Sequence, residues 1–377
     1  MAIYSEYLET LKDFAAFTRE RKKQLAQIAA IRGSDVLVIA AAIGKPNASI
    51  DYSDLIPIAD QLESLKGEKL DVILETPGGS GETTEDVVRL LRRKHKVVNF
   101  IVPGAAKSAG TIMVMSGDDI LMGSVSALGP IDAQVARDGK FFSAEAFLEG
   151  LKRIKEETDE KQALNRAYIP ILQAISPGEL EAARNALKFG KTLASNWLNK
   201  YKFSHWQEHS DKRLVTPDER QAKANSIADE LCSHSRWLSH GRSITLEDLR
   251  KMGIRITNYE ELPDLSDAIR RYHILLRMSF ETNMFKIYET PTSQIFRYQG
   301  GQAPAPRNAD FADIHWQCPK CHTTVRIQAR FDPQTQLKQG FIPFPKTNLL
   351  ACPNCGTQSD ITALRMQIEA QTKKKII

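Results

Sequence analysis

Residues 70–111 read LDVILETPGGSGETTEDVVRLLRRKHKVVNFIVPGAAKSAGT. The apolar run Leu70–Leu74 leads through a glycine-rich turn into the helical pattern Glu82–Arg93. The order then repeats, because the apolar run Val97–Val102 leads through a second turn into a helix that starts near Ser108. Short apolar strands that alternate with helices indicate a parallel sheet, so this stretch predicts an α/β domain.

The flanking sequence extends this pattern. The apolar run Asp35–Ala41 predicts a further buried strand, and Ile120–Met122 predicts a short strand. Apolar residues at helical spacing predict an amphipathic N-terminal helix, and prolines, glycines and amides after Phe296 indicate a linker. We therefore predict these domains: an N-terminal helix (1–30), the α/β domain (31–260), a helix and linker (261–310), a small cysteine-containing module (311–364) and a basic tail (365–377).

The composition is that of an ordinary globular protein. The 377 residues are 42% apolar and 26% charged, and 51 basic against 46 acidic side chains give a net charge of +5. This mild excess is compatible with nucleic-acid contact but does not require it. The most apolar run, Val36–Ile43, is far shorter than the roughly 20 residues of a membrane span. We expect no transmembrane segment, no secretion signal and a cytoplasmic protein.

Two turns carry the residues that are suited to chemistry. Glu75–Gly81 and Pro103–Thr111 both follow predicted parallel strands, where α/β proteins place their ligand sites. Glycines let backbone amides approach a ligand, and Ser108 would present its hydroxyl beside such amides, as acyl transfer requires. Two alternatives stand beside this interpretation. The first turn could bind phosphate, although it lacks both common phosphate motifs, and Ser108 could be a simple helix cap.

Three segments in order carry a family resemblance. TPGG at Thr76–Gly79, AKSAGT at Ala106–Thr111 and the segment Ser126–Asp132, which ends in LGPID, together resemble the Clp-fold serine peptidases, and among them the serine dehydrogenase proteinases. The likeness covers roughly residues 30–260. It implies a Clp/crotonase-like spiral of ββα units and a homo-oligomeric ring.

The resemblance also implies roles for individual residues. Ser108 would be the nucleophile, and the amides of Gly78 or Gly79 and of Ala109 would form the oxyanion hole. A peptide or protein substrate would lie as an added strand between the glycine turn and residues 128–134.

The general base is the part of the site that the resemblance leaves open. The Clp protease subunit has a histidine about 25 residues after its serine, but this chain has Asp132 in that region and no histidine between His95 and His205. A Ser–Lys dyad, as in signal peptide peptidase A, is the next possibility. The lysines at suitable separations are Lys140, Lys152, Lys155 and Lys161.

A histidine further along the chain offers another route to a base. His240 lies in a late segment that resembles the one carrying the triad aspartate in Clp-fold peptidases. Lys107 is adjacent to the nucleophile, and we expect it to point in a different direction. We therefore take Lys152 and His240 as the candidate catalytic partners of Ser108. Asp132 could orient a base or hold the substrate-binding turn, and we favour the turn. Without any base the domain would be a catalytically silent scaffold.

Two CPxC motifs predict a metal site. Cys318-Pro-Lys-Cys321 and Cys352-Pro-Asn-Cys355 are separated by 30 residues, and Cys232 is left over. Two such knuckles supply a closed tetrahedral set of four thiolates, which favours structural Zn²⁺ over a catalytic metal. A redox-active pair is the alternative, but both pairs occur together. The spacing and the strand-like Thr324–Arg330 resemble a zinc ribbon.

Taken together, the motifs predict a serine peptidase that forms an acyl-enzyme on Ser108. The ribbon would recruit a substrate or partner. The alternative function is the silent Clp-fold scaffold, which would bind nucleic acid or a protein through the ribbon. A third hypothesis is crotonase-type chemistry on an acyl thioester, which shares the oxyanion geometry but needs no nucleophilic serine.

Overall fold

The computed structural model describes residues 2–11, 13–137, 140–300, 310–372 and 374–377. They form two units, one made of Met1–Thr10 with Phe17–Gln299 and the other of Leu11–Ala16 with Gly300–Ile377. In the described part of the chain no helix has both the length and the apolar character that crossing a bilayer requires.

The main unit is built on one sheet with helices on both faces. The α-helices of the chain are α1 (Ile3–Thr10), α2 (Phe14–Arg32), α3 (Leu55–Glu63), α4 (Gly81–Lys94), α5 (Ala109–Val114), α6 (Ala144–Lys161), α7 (Ile169–Gln173), α8 (Pro177–Trp197), α9 (Pro217–Cys232), α10 (His234–Trp237), α11 (Leu246–Lys251), α12 (Pro263–Phe280) and α13 (Thr362–Thr372). Shorter 3₁₀ turns lie at Tyr52–Asp54, Arg166–Tyr168 and Tyr259–Glu261, and a π-helical turn at Leu198–Lys202.

The strands of the main unit are β1 (Asp35–Ala41), β2 (Lys69–Glu75), β3 (Val97–Val102), β4 (Ala105–Ala106), β5 (Ile120–Met122), β6 (Ala127–Leu128), β7 (Gln134–Arg137), β8 (Lys140–Ser143), β9 (Thr257–Asn258), β10 (Met284–Glu289) and β11 (Gln294–Tyr298). Those of the second unit are β12 (Phe311–Gln317), β13 (Thr324–Arg330), β14 (Ile342–Pro343), β15 (Leu349–Ala351) and β16 (Gln358–Asp360).

The seven-stranded sheet has the order β11-β10-β1-β2-β3-β5-β9. Strands β1, β2, β3, β5 and β9 run parallel, and β10 and β11 add an antiparallel edge. Because the central strands are apolar on both faces, each face is covered by a core. One core includes residues of α3, α4, α5, α8 and α9, and the other includes residues of α2 and α12.

A second, smaller layer lies beyond the carboxyl ends of the central strands. Strand β4, directly after β3, pairs in parallel with β6, and Thr76 at the end of β2 forms a bridge to Ala106. Each central strand is therefore followed by a short extended segment before the next helix or strand begins. This arrangement brings the glycine turn and the Ser108 turn side by side.

The sheet continues past the boundary predicted at residue 260. The expected helix is present as α12, but the chain then returns as the antiparallel hairpin β10–β11, which pairs with β1. The main unit therefore extends to Gln299. The strands were not predicted because β10 (MFKIYE) carries charged residues at buried positions.

A buried ion pair joins the elements of the face covered by α2 and α12. The Nε of Arg21 lies 3.0 Å from Oε1 of Glu289, and both side chains are 0% exposed. Arg21 also donates to Ser279 at 2.9 Å, and the Tyr272 hydroxyl donates to Glu289 at 2.6 Å. Burial raises the pKa of Tyr272 well above its usual value, which keeps its phenol a donor. The network ties α2, α12 and β10 to one another.

We expect Glu289→Gln to lower the free energy of unfolding by about 3–5 kcal/mol, because it removes the buried carboxylate that pairs with the Arg21 guanidinium. Replacing both partners, as Arg21→Met with Glu289→Met, should restore part of that loss. The measurement is urea denaturation followed by circular dichroism. Glu68→Gln, which breaks the exposed Lys96–Glu68 pair, is the matched control and should change the free energy by less than about 1 kcal/mol. Equal effects of the two substitutions would contradict the role of the pair.

Candidate functional site

Ser108 occupies an unusual backbone conformation at the start of α5. Its φ of 51° and ψ of −117° are rare for a residue with a side chain, and such conformations cost roughly 1–3 kcal/mol. The residue is half-buried, and no described residue forms a hydrogen bond with its hydroxyl. A serine on a sharp, strained turn between a strand and a helix is the arrangement of a nucleophile elbow.

The glycine turn packs directly against this serine. A Cβ at Gly78 would lie 2.7 Å from the Cβ of Ser108 and 3.2 Å from the amide nitrogen of Ala109, so no side chain fits there. Gly79 is equally confined, because a Cβ there would lie 2.3 Å from the carbonyl oxygen of Ile50. Both glycines have positive φ, 99° and 150°. The turn therefore needs glycine for its conformation and for its close contacts.

Two amides beside Ser108 are available as donors. The Gly78 amide already donates to the Thr76 hydroxyl at 3.1 Å. The amides of Gly79 and Ala109 donate to no residue in the described part of the chain. Of the two glycine amides that the sequence left open, Gly79 is thus the one that is free to stabilise an oxyanion together with Ala109.

His240 lies in a cluster around a buried carboxylate. Asp132, 1% exposed, accepts from Nδ1 of His240 at 2.6 Å and from Nδ1 of His234 at 3.1 Å. Gln134 donates to the same carboxylate at 3.1 Å, and Glu145 accepts from the His234 backbone amide. An Nδ1 proton held by Asp132 leaves Nε2 of His240 with the lone pair that a base requires. Asp132 thus contacts the two histidines, whereas from the sequence we favoured a role in the substrate-binding turn.

The candidate lysines lie in different surroundings. Lys152 is 72% exposed and pairs with Glu156 at 3.6 Å, and Lys155 is exposed on the same helix. Lys161 pairs with Glu157, whose hydrogen bond raises the pKa of the lysine, the opposite of what a base needs. The side chain of Lys140 lies outside the described part of the structure. The structure therefore places Lys152 on a solvated helix face, whereas a lysine base needs a buried amine.

The four cysteines of the CPxC motifs come together in the second unit. The Sγ atoms of Cys318, Cys321, Cys352 and Cys355 all lie within 4.8 Å of one another. The pairs Cys318–Cys355 and Cys321–Cys352 are 3.6 Å apart. Four thiolates at the corners of a tetrahedron with 2.3 Å metal–sulfur bonds would be about 3.8 Å apart. The cluster therefore fits a metal ion held by four thiolates.

The two knuckles share one hydrogen-bond pattern, in which a threonine hydroxyl lies beside the sulfur of the second cysteine. The Thr323 hydroxyl lies 3.3 Å from Sγ of Cys321, and the Thr357 hydroxyl lies 3.3 Å from Sγ of Cys355. These hydroxyls lower the pKa of both thiols, that of Cys321 to about 5. In contrast, burial raises the pKa of Cys232 to about 12. A thiolate, the form that binds metal, is thus favoured at Cys321 and Cys355 and disfavoured at the fifth cysteine, whereas the pKa of Cys318 is raised to about 11.

Two contacts of the site were not foreseen. The Thr76 hydroxyl holds the Gly78 amide, and the Thr76 carbonyl accepts from the Lys107 amide at 3.0 Å, so this residue joins the two turns. The sequence also did not predict that Asp132 contacts both His234 and His240. These residues are 102 and 108 positions from the aspartate, and no local pattern in the sequence signals such a pairing.

Residues 17–173 match the family model described as ClpP-like SDH-type serine proteinase. Two uncharacterized proteins of Methanocaldococcus jannaschii are similar. One is 27% identical over 110 residues, which are 27% of this chain and 38% of the relative, and the other is 24% identical over 198 residues, which are 52% and 56%. The chain therefore spans about half or less of the length of these relatives.

Solved structures with weak similarity include a mutant of the membrane-bound stomatin-specific protease 1510-N in complex with a substrate peptide. It is 16% identical, with 62% of this chain and 80% of that chain covered and a TM-score of 0.35. A mutant of ClpP1 from Listeria monocytogenes is 10% identical, with coverage of 63% and 97% and a TM-score of 0.28. The family match agrees with the motifs and with the layered α/β topology, which confirms the expected Clp/crotonase-like fold. The part of the chain that matches this family model, residues 17–173, contains the glycine turn, Ser108 and Asp132.

Proposed function

We propose that the protein is a serine-type peptidase that hydrolyses peptide bonds through an acyl-enzyme on Ser108. The observation that carries this proposal is the position of Ser108. Its strained backbone holds the hydroxyl beside the amides of Gly79 and Ala109, and none of these three groups has a hydrogen-bond partner among the described residues. A nucleophile next to two backbone donors is suited to acyl transfer, because the donors stabilise the negative charge that develops on the substrate carbonyl oxygen.

In the proposed reaction, Nε2 of His240 takes the proton of the Ser108 hydroxyl as Oγ attacks the scissile carbonyl. The amides of Gly79 and Ala109 stabilise the oxyanion, and the protonated His240 then gives its proton to the leaving amine. Water, activated by the same imidazole, releases the acyl group. Asp132 holds the imidazole orientation and stabilises its charge. No hydrogen bond joins Ser108 and His240 in this structure, and such bonds commonly form only with substrate in place.

The peptide substrate would pair with the edges of the site by its main chain. Part of the segment expected to accept it is already occupied, since the amides of Leu128, Gly129 and Ile131 donate within the protein. We therefore place the main-chain pairing at the glycine turn and at residues 132–134.

We further propose that the cysteine cluster holds a structural Zn²⁺ and that its unit recruits a substrate or partner. A four-thiolate set suits zinc and leaves no position for water, so no catalytic step involves the ion. The unit is suited to an anionic partner, because residues 300–377 contain ten basic and five acidic side chains, whereas residues 1–299 contain 41 of each. Nucleic acid or an acidic protein surface would fit this charge. The homo-oligomeric ring and the cytoplasmic location remain predictions.

The first test is labelling with a fluorophosphonate probe. We expect the wild-type chain to form a covalent adduct and Ser108→Ala to lose labelling and peptide hydrolysis by at least about 10³-fold, because the nucleophile is gone. Ser124→Ala, a change at an exposed serine that bonds Glu260, is the control and should keep both. If the Ser108→Ala variant is still labelled, the proposed mechanism is wrong. A folded wild type that never labels would favour the silent scaffold.

The second test identifies the base. His240→Ala and Asp132→Asn should each lower the labelling rate by roughly 10³–10⁴-fold, because one removes the proton acceptor and the other its orienting carboxylate. His234→Ala should cost less, since His240 keeps its 2.6 Å contact with Asp132. If Lys152→Ala abolishes labelling while His240→Ala does not, the Ser–Lys dyad is the correct assignment instead.

The third test concerns the metal. Elemental analysis of the full chain should give one zinc per chain, and Cys352→Ser should lose it because a three-thiolate set binds more weakly. Cys232→Ser is the matched control, and it should keep the ion. Chelation should raise hydrogen exchange across residues 311–361, since a module with so small a core takes much of its folding free energy from the metal. A metal-free protein with unchanged exchange would refute a structural ion.

A further inference from the structure

Lys107, the residue before the candidate nucleophile, makes three contacts that the proposed reaction does not use. Its ammonium donates to the carbonyl of Leu128 at 2.9 Å, the carbonyl of Arg242 at 3.2 Å and the hydroxyl of Ser243 at 3.1 Å. The stem of the side chain crosses Gly129, where a Cβ would lie 2.7 Å from Cδ of the lysine. A glycine at position 129 therefore leaves room for the lysine to reach its three acceptors.

These contacts indicate a cation rather than a base. An ammonium has three donors and no acceptor, and here all three hydrogens have oxygen partners. Burial lowers the pKa of Lys107, which a base would also need, so the assignment rests on the three oxygen partners and not on the pKa. A lysine base would need a neutral amine with its lone pair toward the serine hydroxyl, whereas this nitrogen lies against residues 128, 242 and 243.

The three acceptors belong to two parts of the site. Leu128 lies in β6, beside the proposed substrate position, and Arg242 and Ser243 lie in residues 238–244, which we call the His240 segment. Leu128 and Ile244 also exchange both backbone hydrogen bonds, at 2.9 and 3.0 Å. Most of the His240 segment is exposed, so few packing contacts fix where it lies. Lys107 connects it to the turn that carries Ser108.

We infer that Lys107 is a positioning residue that holds the His240 segment at the correct distance from Ser108. This inference rests on the proposed function. A displacement of about 1 Å between a nucleophile and its base can cost roughly 100-fold in rate. Hydrogen bonds that fix this segment, which we call the Lys107 clamp, would therefore affect the rate of catalysis. An arginine could replace the lysine as a clamp, because it donates to the same kinds of oxygen, but it could not replace a base.

The experiment compares Lys107→Met and Lys107→Arg by the rate of fluorophosphonate labelling and by hydrogen exchange of residues 240–244. Lys107→Met should label about 100-fold more slowly and exchange faster in this segment. Lys107→Arg should retain most of the rate and the protection. Lys45→Met is the matched control, since Lys45 also donates to three backbone carbonyls, those of Phe280, Thr282 and Met284, and touches none of the site residues.

Each other outcome overturns the inference. If Lys107→Arg is as inactive as Lys107→Met while exchange is unchanged in both, Lys107 is the base. If Lys107→Met labels at the wild-type rate, or if Lys45→Met slows labelling equally, the clamp has no specific role. If the wild-type protein is never labelled, the proposed function fails. The positioning role of Lys107 is refuted separately if hydrogen exchange of residues 240–244 is unchanged in Lys107→Met.

Discussion

The close packing of the glycine turn against Ser108 is the constraint on which the site depends. The position that a Cβ would take at Gly78 is occupied by Ser108 and the backbone beside it, and Ser108 itself adopts a conformation that most residues avoid. Both turns follow parallel strands that end at the same edge of the sheet, and the Thr76 contacts hold them together. The strands thus fix the site, and the strain at Ser108 is tolerated because its neighbours leave no other arrangement.

The remainder of the site comes from distant parts of the chain. Asp132 follows β6, and His240 comes more than 100 residues later, after the helical region between α6 and α10. One buried carboxylate therefore contacts two histidines. In the proposed reaction this separation places the nucleophile on rigid core elements and the base on an exposed segment, so the relative position of the two depends on few contacts.

Much of this arrangement follows from local sequence. The strands at Val97–Val102, Ile120–Met122 and Thr324–Arg330 have the bounds that their apolar patterns predict, because buried strands need little context to be recognised. Strand β10 escaped prediction since its Lys286 and Glu289 are buried as ion pairs with Asp54 and Arg21, partners more than 200 residues away. The Asp132–His240 contact was hidden for the same reason. Local patterns show periodicity and turns, whereas pairing between distant charges appears only in three dimensions.

The two CPxC motifs of the second unit have a consequence for its stability. Each CPxC motif supplies two sulfurs, and the two motifs are separated by 30 residues, so a bound ion closes a loop much as a covalent cross-link would. By the polymer estimate used for disulfides, closing a loop of this length removes about 4 kcal/mol of chain entropy from the unfolded state. Unlike a disulfide, a cross-link made by a metal ion is stable in a reducing environment, and removal of the ion opens it. Metal binding at the four cysteines would therefore couple the stability of the unit to the concentration of free metal around it.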